Sequence, residues 1–289
     1  MSLKQYIKRG LQYIKSGTPT KKIIVNVTLI DNGLVLNGRK ALITGGTSGI
    51  GYEIAKFYLH AGAQVLITGR NEERLEKACE QLKQESGKKC INYIIWDNTD
   101  IANFKDNLKK VITILGSLDI LVNNAGIGGG DINTTSENEY NAVMDTNLKA
   151  NFFLSREVAK YMIDNKIKGN ILNIASSSSL RPANSAYILS KWGVKGLTEG
   201  LALSLIPHDI VVNGIAPGPT ATPMLNKQKG DEITRNGSLI GRFVLPEEIA
   251  NMAVILVSDL SRSIVGDIIY MTGGSGNVTT SDFNYNFTY

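Results

Sequence analysis

A phenol one helical turn ahead of an ammonium can move a proton, and the chain carries that spacing twice: Tyr52 with Lys56, and Tyr187 with Lys191 in "SAYILSKWG". A free tyrosine, with a pKa of about 10, is a poor proton shuttle at neutral pH. Lowering it by about 2–3 units takes roughly 3–4 kcal/mol of preferential phenolate stabilisation. A nearby cation in a partly desolvated site supplies that. In both pairs the lysine falls on the same helix face as its tyrosine. Spacing alone does not choose between them; the elements that carry each pair must.

The 289 residues suit one large α/β domain with decorations rather than two domains. A net charge of +5 is mild, gives no reason to expect a nucleic-acid partner, and comes partly from basic residues crowded into the first two dozen positions. Cys79 and Cys90 form no CxxC motif and the two histidines cannot supply a ligand cluster, so neither a disulfide framework nor a metal site is expected. No apolar run reaches membrane-spanning length and the start lacks a signal-peptide pattern, which makes a cytoplasmic protein the expectation.

Residues 1–35 read as an extension. Leu3, Ile7, Leu11 and Ile14 recur at helical spacing among Lys4, Lys8, Arg9 and Lys15, "IIVNVTLI" reads as a strand, "DNG" at 31–33 as a turn and "LVL" as a return strand. The basic amphipathic start suits packing on its own domain or a partner subunit better than lying on an anionic membrane. Residues 36–289 read as the catalytic domain with a short tail. There, strands such as "KALITGG", "AQVLITGR", "KCINYIIW", "LDILVNNAG", "GNILNIASS" and "DIVVNGIAPG" alternate with helical stretches. Strands apolar throughout are buried on both faces, and strand–helix alternation predicts an α/β fold: a doubly wound parallel sheet in a single Rossmann-type domain. Ligands then sit at the carboxyl ends of the strands.

"TGGTSGIG", Thr44 to Gly51, follows the first such strand and opens a helix. Gly45, Gly49 and Gly51 allow a tight turn and close approach of a pyrophosphate to main-chain N–H groups, with Thr47, Ser48 and Ile50 between them. Tyr52 and Lys56 lie in the first turns of that helix, whose body runs away from the ligand, and are expected to be structural. At the end of the second strand, where an acid would bind the ribose hydroxyls of NAD, stand Gly69 and Arg70. With no carboxylate to repel a 2′-phosphate and a guanidinium to bind one, NADP(H) is favoured over NAD(H).

The glycine turn, "NNAG" at 123–126, the Tyr187–Lys191 pair and "PGPTAT" at 217–222, in this order, resemble the short-chain dehydrogenase/reductase family over about Leu36 to Asn277. The resemblance implies a nicotinamide-dependent oxidoreductase. It would place Thr44, Gly45, Gly49, Ile50 and Gly51 along the pyrophosphate, Asp97 and Asn98 at the adenine, and Asn124, Ala125 and Gly126 at the adjoining ribose. Pro217, Gly218, Thr220 and Thr222 would hold the nicotinamide end. Asn147, Ser176, Tyr187 and Lys191 would be the catalytic set. Tyr187 would exchange the proton, Ser176 would bind the substrate oxygen, Lys191 would also hold a ribose hydroxyl, and Asn147 would anchor a relay water. The strand "NIAS" fixes Ser176 as the serine, with Ser177 and Ser178 as alternatives in a run of four. Pro223–Val244, carrying Lys227, Lys229, Asp231, Glu232 and Arg235, falls where the family has a substrate lid. Arg181 reads either as a solvated side chain or as an anchor for an anionic substrate group.

The expectation is therefore an NADP(H)-dependent enzyme that interconverts a carbonyl and a secondary alcohol, a 3-oxoacyl-thioester reductase being one specific version. The family also implies a homodimer or homotetramer. Two other readings stay open: a dinucleotide-binding regulator without turnover, and a glycan-pathway sugar reductase or epimerase.

Overall fold

The computed structural model describes residues 34–275 apart from Lys229. The predicted N-terminal helix, strand and "DNG" turn, and the tail beyond Ser275, lie outside the described residues.

Seven parallel strands form one sheet in the order β3-β2-β1-β4-β5-β6-β7. They are β1 (Lys40–Thr44), β2 (Gln64–Gly69), β3 (Ile91–Ile95), β4 (Ile120–Asn123), β5 (Asn170–Ile174), β6 (Val211–Pro217) and β7 (Ile268–Met271). Among the described residues, seven α-helices connect or flank them: α1 (Gly49–His60), α2 (Glu72–Ser86), α3 (Phe104–Leu115), α4 (Glu137–Met144), α5 (Ala150–Asp164), α6 (Ala186–Leu205) and α7 (Pro246–Val257). The order reverses between β1 and β4, which opens a crevice at their carboxyl ends.

Alternation along each strand divides the core in two. Ala41, Ile43, Val65 and Ile67 point to one face and pack with Ile54, Tyr58 and Ile249 from α1 and α7. Leu42, Leu66 and Leu121 point to the other and pack with Val111, Leu154 and Val158 from α3 and α5. Each fully buried Val, Leu or Ile side chain among these contributes about 1.5–3 kcal/mol. This is why the strands read as unbroken apolar runs rather than alternating ones.

Two differences from the sequence reading concern the edges. "LVL" is a turn, not a strand: the Leu36 N–H donates to the Ala61 carbonyl at the end of α1 (2.9 Å), and Gly38, at φ +76°, bends the chain into β1. The seventh strand, "IIYM", went unread in the sequence, although it is a short apolar run ahead of a Gly-Gly turn.

Candidate active site

A cleft of about 850 Å³ runs across the carboxyl ends of β1, β2, β4, β5 and β6. That is within the usual size of a cofactor site. Its floor is the glycine turn. Gly45 has φ +67°, and a Cβ there would lie 2.9 Å from the Ala125 Cα. Gly49 has φ +58°, with Thr222 against it, and a Cβ on Gly51 would collide with the Asn124 amide. The Asn124 amide donates to the carbonyls of Thr44 (2.9 Å) and Gly45 (3.0 Å), while the Thr44 hydroxyl accepts from the N–H groups of Asn124 and Ala125 (both 3.0 Å). Thr44 and Gly51 thus shape the turn from behind rather than line the cleft.

The two helices that open beside this floor differ in their first turns. Helix α2 is closed by its own residues: the Asn71 side chain accepts from the Arg74 N–H (2.8 Å), and Glu72 and Glu73 face the positive end of the dipole. Helix α1 has neither device; its N-cap residue Ser48 makes no side-chain capping bond and its first turn holds no acid. That leaves its main-chain donors for an outside anion.

At the β2–β3 end the cleft is lined by Arg70, Asp97 and Asn98, as expected, and also by Thr68, Arg74 and Trp96, which the sequence reading left out. Arg74 was readable as the second arginine of "RNEER", one turn into the helix after Arg70. The Asp97 carboxyl is held below the ordinary range by the Thr99 N–H (2.9 Å) and hydroxyl (2.8 Å), with the Arg70 charge adding to them.

At the β5 end three predicted side chains converge. Ser176 lies two residues beyond the end of β5, accepts from the Ser178 N–H (3.1 Å) and faces the phenol of Tyr187. Ser177 and Ser178 also line the cleft. Tyr187 sits in the first turn of α6, which Ser185 caps by accepting from the Ile188 N–H (3.2 Å). Burial raises the tyrosine pKa, against the opposite pull of Ser176, so the free protein holds a neutral phenol. The Lys191 Nζ lies 5.8 Å from the centre of the Tyr187 ring and donates to the Ile174 carbonyl (2.8 Å). Burial lowers its pKa to about 8.

Asn147 stands apart. It falls in a single π-helical turn, Asp145–Lys149, between α4 and α5, and does not line the cleft. Its Oδ1 accepts from the Ile127 N–H (2.8 Å), and its Nδ2 donates to the Ile127 carbonyl (2.9 Å) and the Ser190 hydroxyl (3.1 Å). The amide is therefore committed to fastening the strand β4 loop to α6. At the far wall, Pro217, Gly218, Thr220 and Thr222 all line the cleft, and the Thr220 hydroxyl donates to the Gly218 carbonyl (2.9 Å).

The family model described as short chain dehydrogenase matches residues 39–233. The chain belongs to the short-chain dehydrogenase/reductase family. Among curated relatives, the dehydrogenase is 36% identical over 245 residues to the 3-oxoacyl-(acyl-carrier-protein) reductase FabG of Rickettsia felis, covering 83% of this chain and 97% of that one. It is 35% identical over 246 residues to the gluconate 5-dehydrogenase of Gluconobacter oxydans, covering 83% and 95%. Among solved structures, an actinorhodin polyketide ketoreductase with NADPH superposes at TM-score 0.76 with 31% identity, over 83% of this chain and 98% of that one. A 3-ketoacyl-(acyl-carrier-protein) reductase from Brucella melitensis with NADH superposes at 0.77 with 27% identity, over 84% and 100%. The dehydrogenase is thus an NAD(P)-dependent family enzyme with a Rossmann-type nucleotide-binding fold. No helix among its described residues is long and apolar enough to cross a membrane.

Proposed function

We propose that this enzyme reduces a carbonyl compound to a secondary alcohol, and runs the reverse, with NADP(H) preferred. The observation that carries the reading is the convergence of Tyr187, Lys191 and Ser176 on one wall of a cleft with a glycine floor. A Cβ would fill that floor at Gly45, and the uncapped α1 terminus offers it main-chain donors, which together fit a dinucleotide pyrophosphate. Gly45, Thr47, Ser48, Gly49 and Ile50 would hold that group, with Asn98 and Asp97 at the adenosine end and Lys191 on the inner ribose. The reduced nicotinamide, when bound, supplies the hydride.

Tyr187 then gives its proton to the carbonyl oxygen as hydride reaches the carbon, so that C=O becomes CH–OH and a phenolate is left. Burial keeps the phenol protonated until that moment. Lys191 stabilises the resulting phenolate, and the N-terminal turn of α6 adds its dipole. Ser176 donates a hydrogen bond to the substrate oxygen. Asn147, with its amide committed to Ile127 and Ser190, works as a positioning residue that fixes the cleft wall.

The preference for NADP(H) is supported by Arg70 and Arg74, which line the cleft at the end of β2, where Gly69 and Arg70 stand in place of a strand-end carboxylate. Relatives with either cofactor are known, so the preference belongs to these residues rather than to the fold. Assembly into a dimer or tetramer is supported by Phe152, Leu189, Trp192 and Leu203, large apolar side chains exposed on α5 and α6. Light scattering tests that point.

The function is tested by following NADPH and NADH absorbance across acyl thioesters, sugars, steroids and small ketones. Cofactor-dependent reduction of at least one class is expected. Binding of the dinucleotide without turnover of any would establish the regulator reading instead.

A further inference from the structure

The charged side chains lining the cleft are Arg70, Arg74 and Asp97 at the adenosine end, the buried Lys191, and Arg181 at the mouth. The first four have parts in the proposed reaction. Arg181 has none, and its setting is specific.

Arg181 closes the short helical turn that follows Ser176. Its N–H donates to the Ser178 carbonyl (3.1 Å), and its own carbonyl accepts from the Trp192 indole N–H (2.9 Å), which ties it to α6 one turn beyond Tyr187. The side chain reaches across the mouth, and its Nη2 donates to the Ser275 carbonyl after β7 (3.0 Å). Ser275 is itself pinned, donating through its hydroxyl to the Thr272 carbonyl (2.7 Å). It also lies against the cleft wall: a Cβ on Gly218 would come within 3.1 Å of the Ser275 hydroxyl oxygen. The guanidinium therefore bridges the loops after β5 and β7 in the cleft that Ser176 and Tyr187 also line. Among the described residues it makes that one side-chain hydrogen bond and no ion pair.

A guanidinium presents five donors in a planar fork that matches a carboxylate or phosphate edge. Here one donor is spent on a carbonyl that holds the fork in place, and no carboxylate lines this end of the cleft. We propose that Arg181 selects carbonyl substrates that carry an anionic oxygen group, an oxo acid or an oxo phosphate ester, and pairs with that group while Ser176 and Tyr187 hold the reacting oxygen. This rests on the carbonyl-reductase reading and names its substrate class.

The test compares matched substrates with NADPH present: a series of short oxo acids, their methyl esters, and ketones bearing a phosphate. In the native enzyme kcat/KM should favour the anionic member of each pair at least about tenfold, and rising salt should erode that ratio. Arg181→Gln should bring the ratio to about one, by raising KM for the anion with kcat within about threefold. Arg181→Lys, which keeps charge but loses the fork, should restore part of it. Whether acid or phosphate gains more tells which anion the mouth fits. Unchanged melting temperature and NADPH affinity in the variants separate selection from damage. Should Arg181→Gln fail to fold, the salt dependence and Arg181→Lys decide alone. Equal rates on acid and ester in the native enzyme, or an equal loss on both in the variant, would overturn this inference while leaving the reductase reading intact. No reduction of any carbonyl would remove both.

Discussion

Tyr52–Lys56 on α1 and Tyr187–Lys191 on α6 share a spacing and little else. Lys56 is ion-paired to Glu53 and lies 3.3 Å from Glu85. Burial pulls its pKa down, but the two carboxylates outweigh that and hold the amine charged. Burial, with Glu85 and Glu53 adding to it, drives the Tyr52 pKa far above the useful range. That pair is a clasp between α1 and α2. Among the described residues Lys191 has a neutral carbonyl as its partner and no acid, Tyr187 faces a serine hydroxyl, and both open on the cleft. What separates a reactive pair from a structural one is the sign of the neighbouring charge. Carboxylates oppose a phenolate, whereas their absence leaves a cation free to stabilise it.

The comparison can be broken most directly at the hydroxyls. Tyr187→Phe should lower kcat by about 10²–10⁴-fold, the range of a lost proton donor, with cofactor affinity retained. Tyr52→Phe should leave kcat within about twofold. Steady-state rates on any reduced substrate decide it, and similar losses in both would end the distinction.

Next come the amines. Lys191→Met should cost about 10²-fold in kcat/KM. In the native enzyme the amine, lowered to about 8 by burial, is charged below that pH and neutral above it. Phenolate stabilisation is thus lost as pH rises, and kcat/KM for reduction should fall through a pKa near 8. A flat profile to pH 10 would contradict the assignment.

Arg70→Ala should weaken NADPH about tenfold, about 1.4 kcal/mol, and leave NADH unchanged; titration calorimetry reads both. The smallest effect on activity belongs to Lys56→Met, which should leave kcat within about twofold. It strands the buried Glu53 and should cost about 1–3 kcal/mol of stability at pH 8. Burial raises the Glu53 pKa, so the carboxyl neutralises readily as pH falls and the penalty should shrink toward pH 5. Thermal melts at the two pH values measure it.

The reach of the sequence follows the same physics. Strands β1, β2, β4, β5 and β6 are legible because burial on both faces forces apolar runs, and the glycine turn because a left-handed φ is combined with close packing, of Gly45 on the Ala125 backbone and of Gly49 on the Thr222 side chain. Tyr187 is told from Tyr52 by the helix that carries each, since the Tyr52 helix opens at the glycine turn and runs away from the ligand. What stayed hidden depends on packing across the sheet. The Ile174 carbonyl under Lys191, the commitment of the Asn147 amide to Ile127 and the reach of Arg181 to Ser275 join residues that are distant in the chain. No local pattern encodes them. "LVL" misled because an apolar triplet is equally at home covering a helix end.

The bond from Lys191 to the end of β5 has one consequence for how this enzyme can fail. Its acceptor is a main-chain oxygen, a group that every amino acid possesses, proline included. No amino-acid substitution at position 174 can delete it. Heritable damage to that anchor must therefore come through the amine, or through a change large enough to slide a central strand past its neighbours.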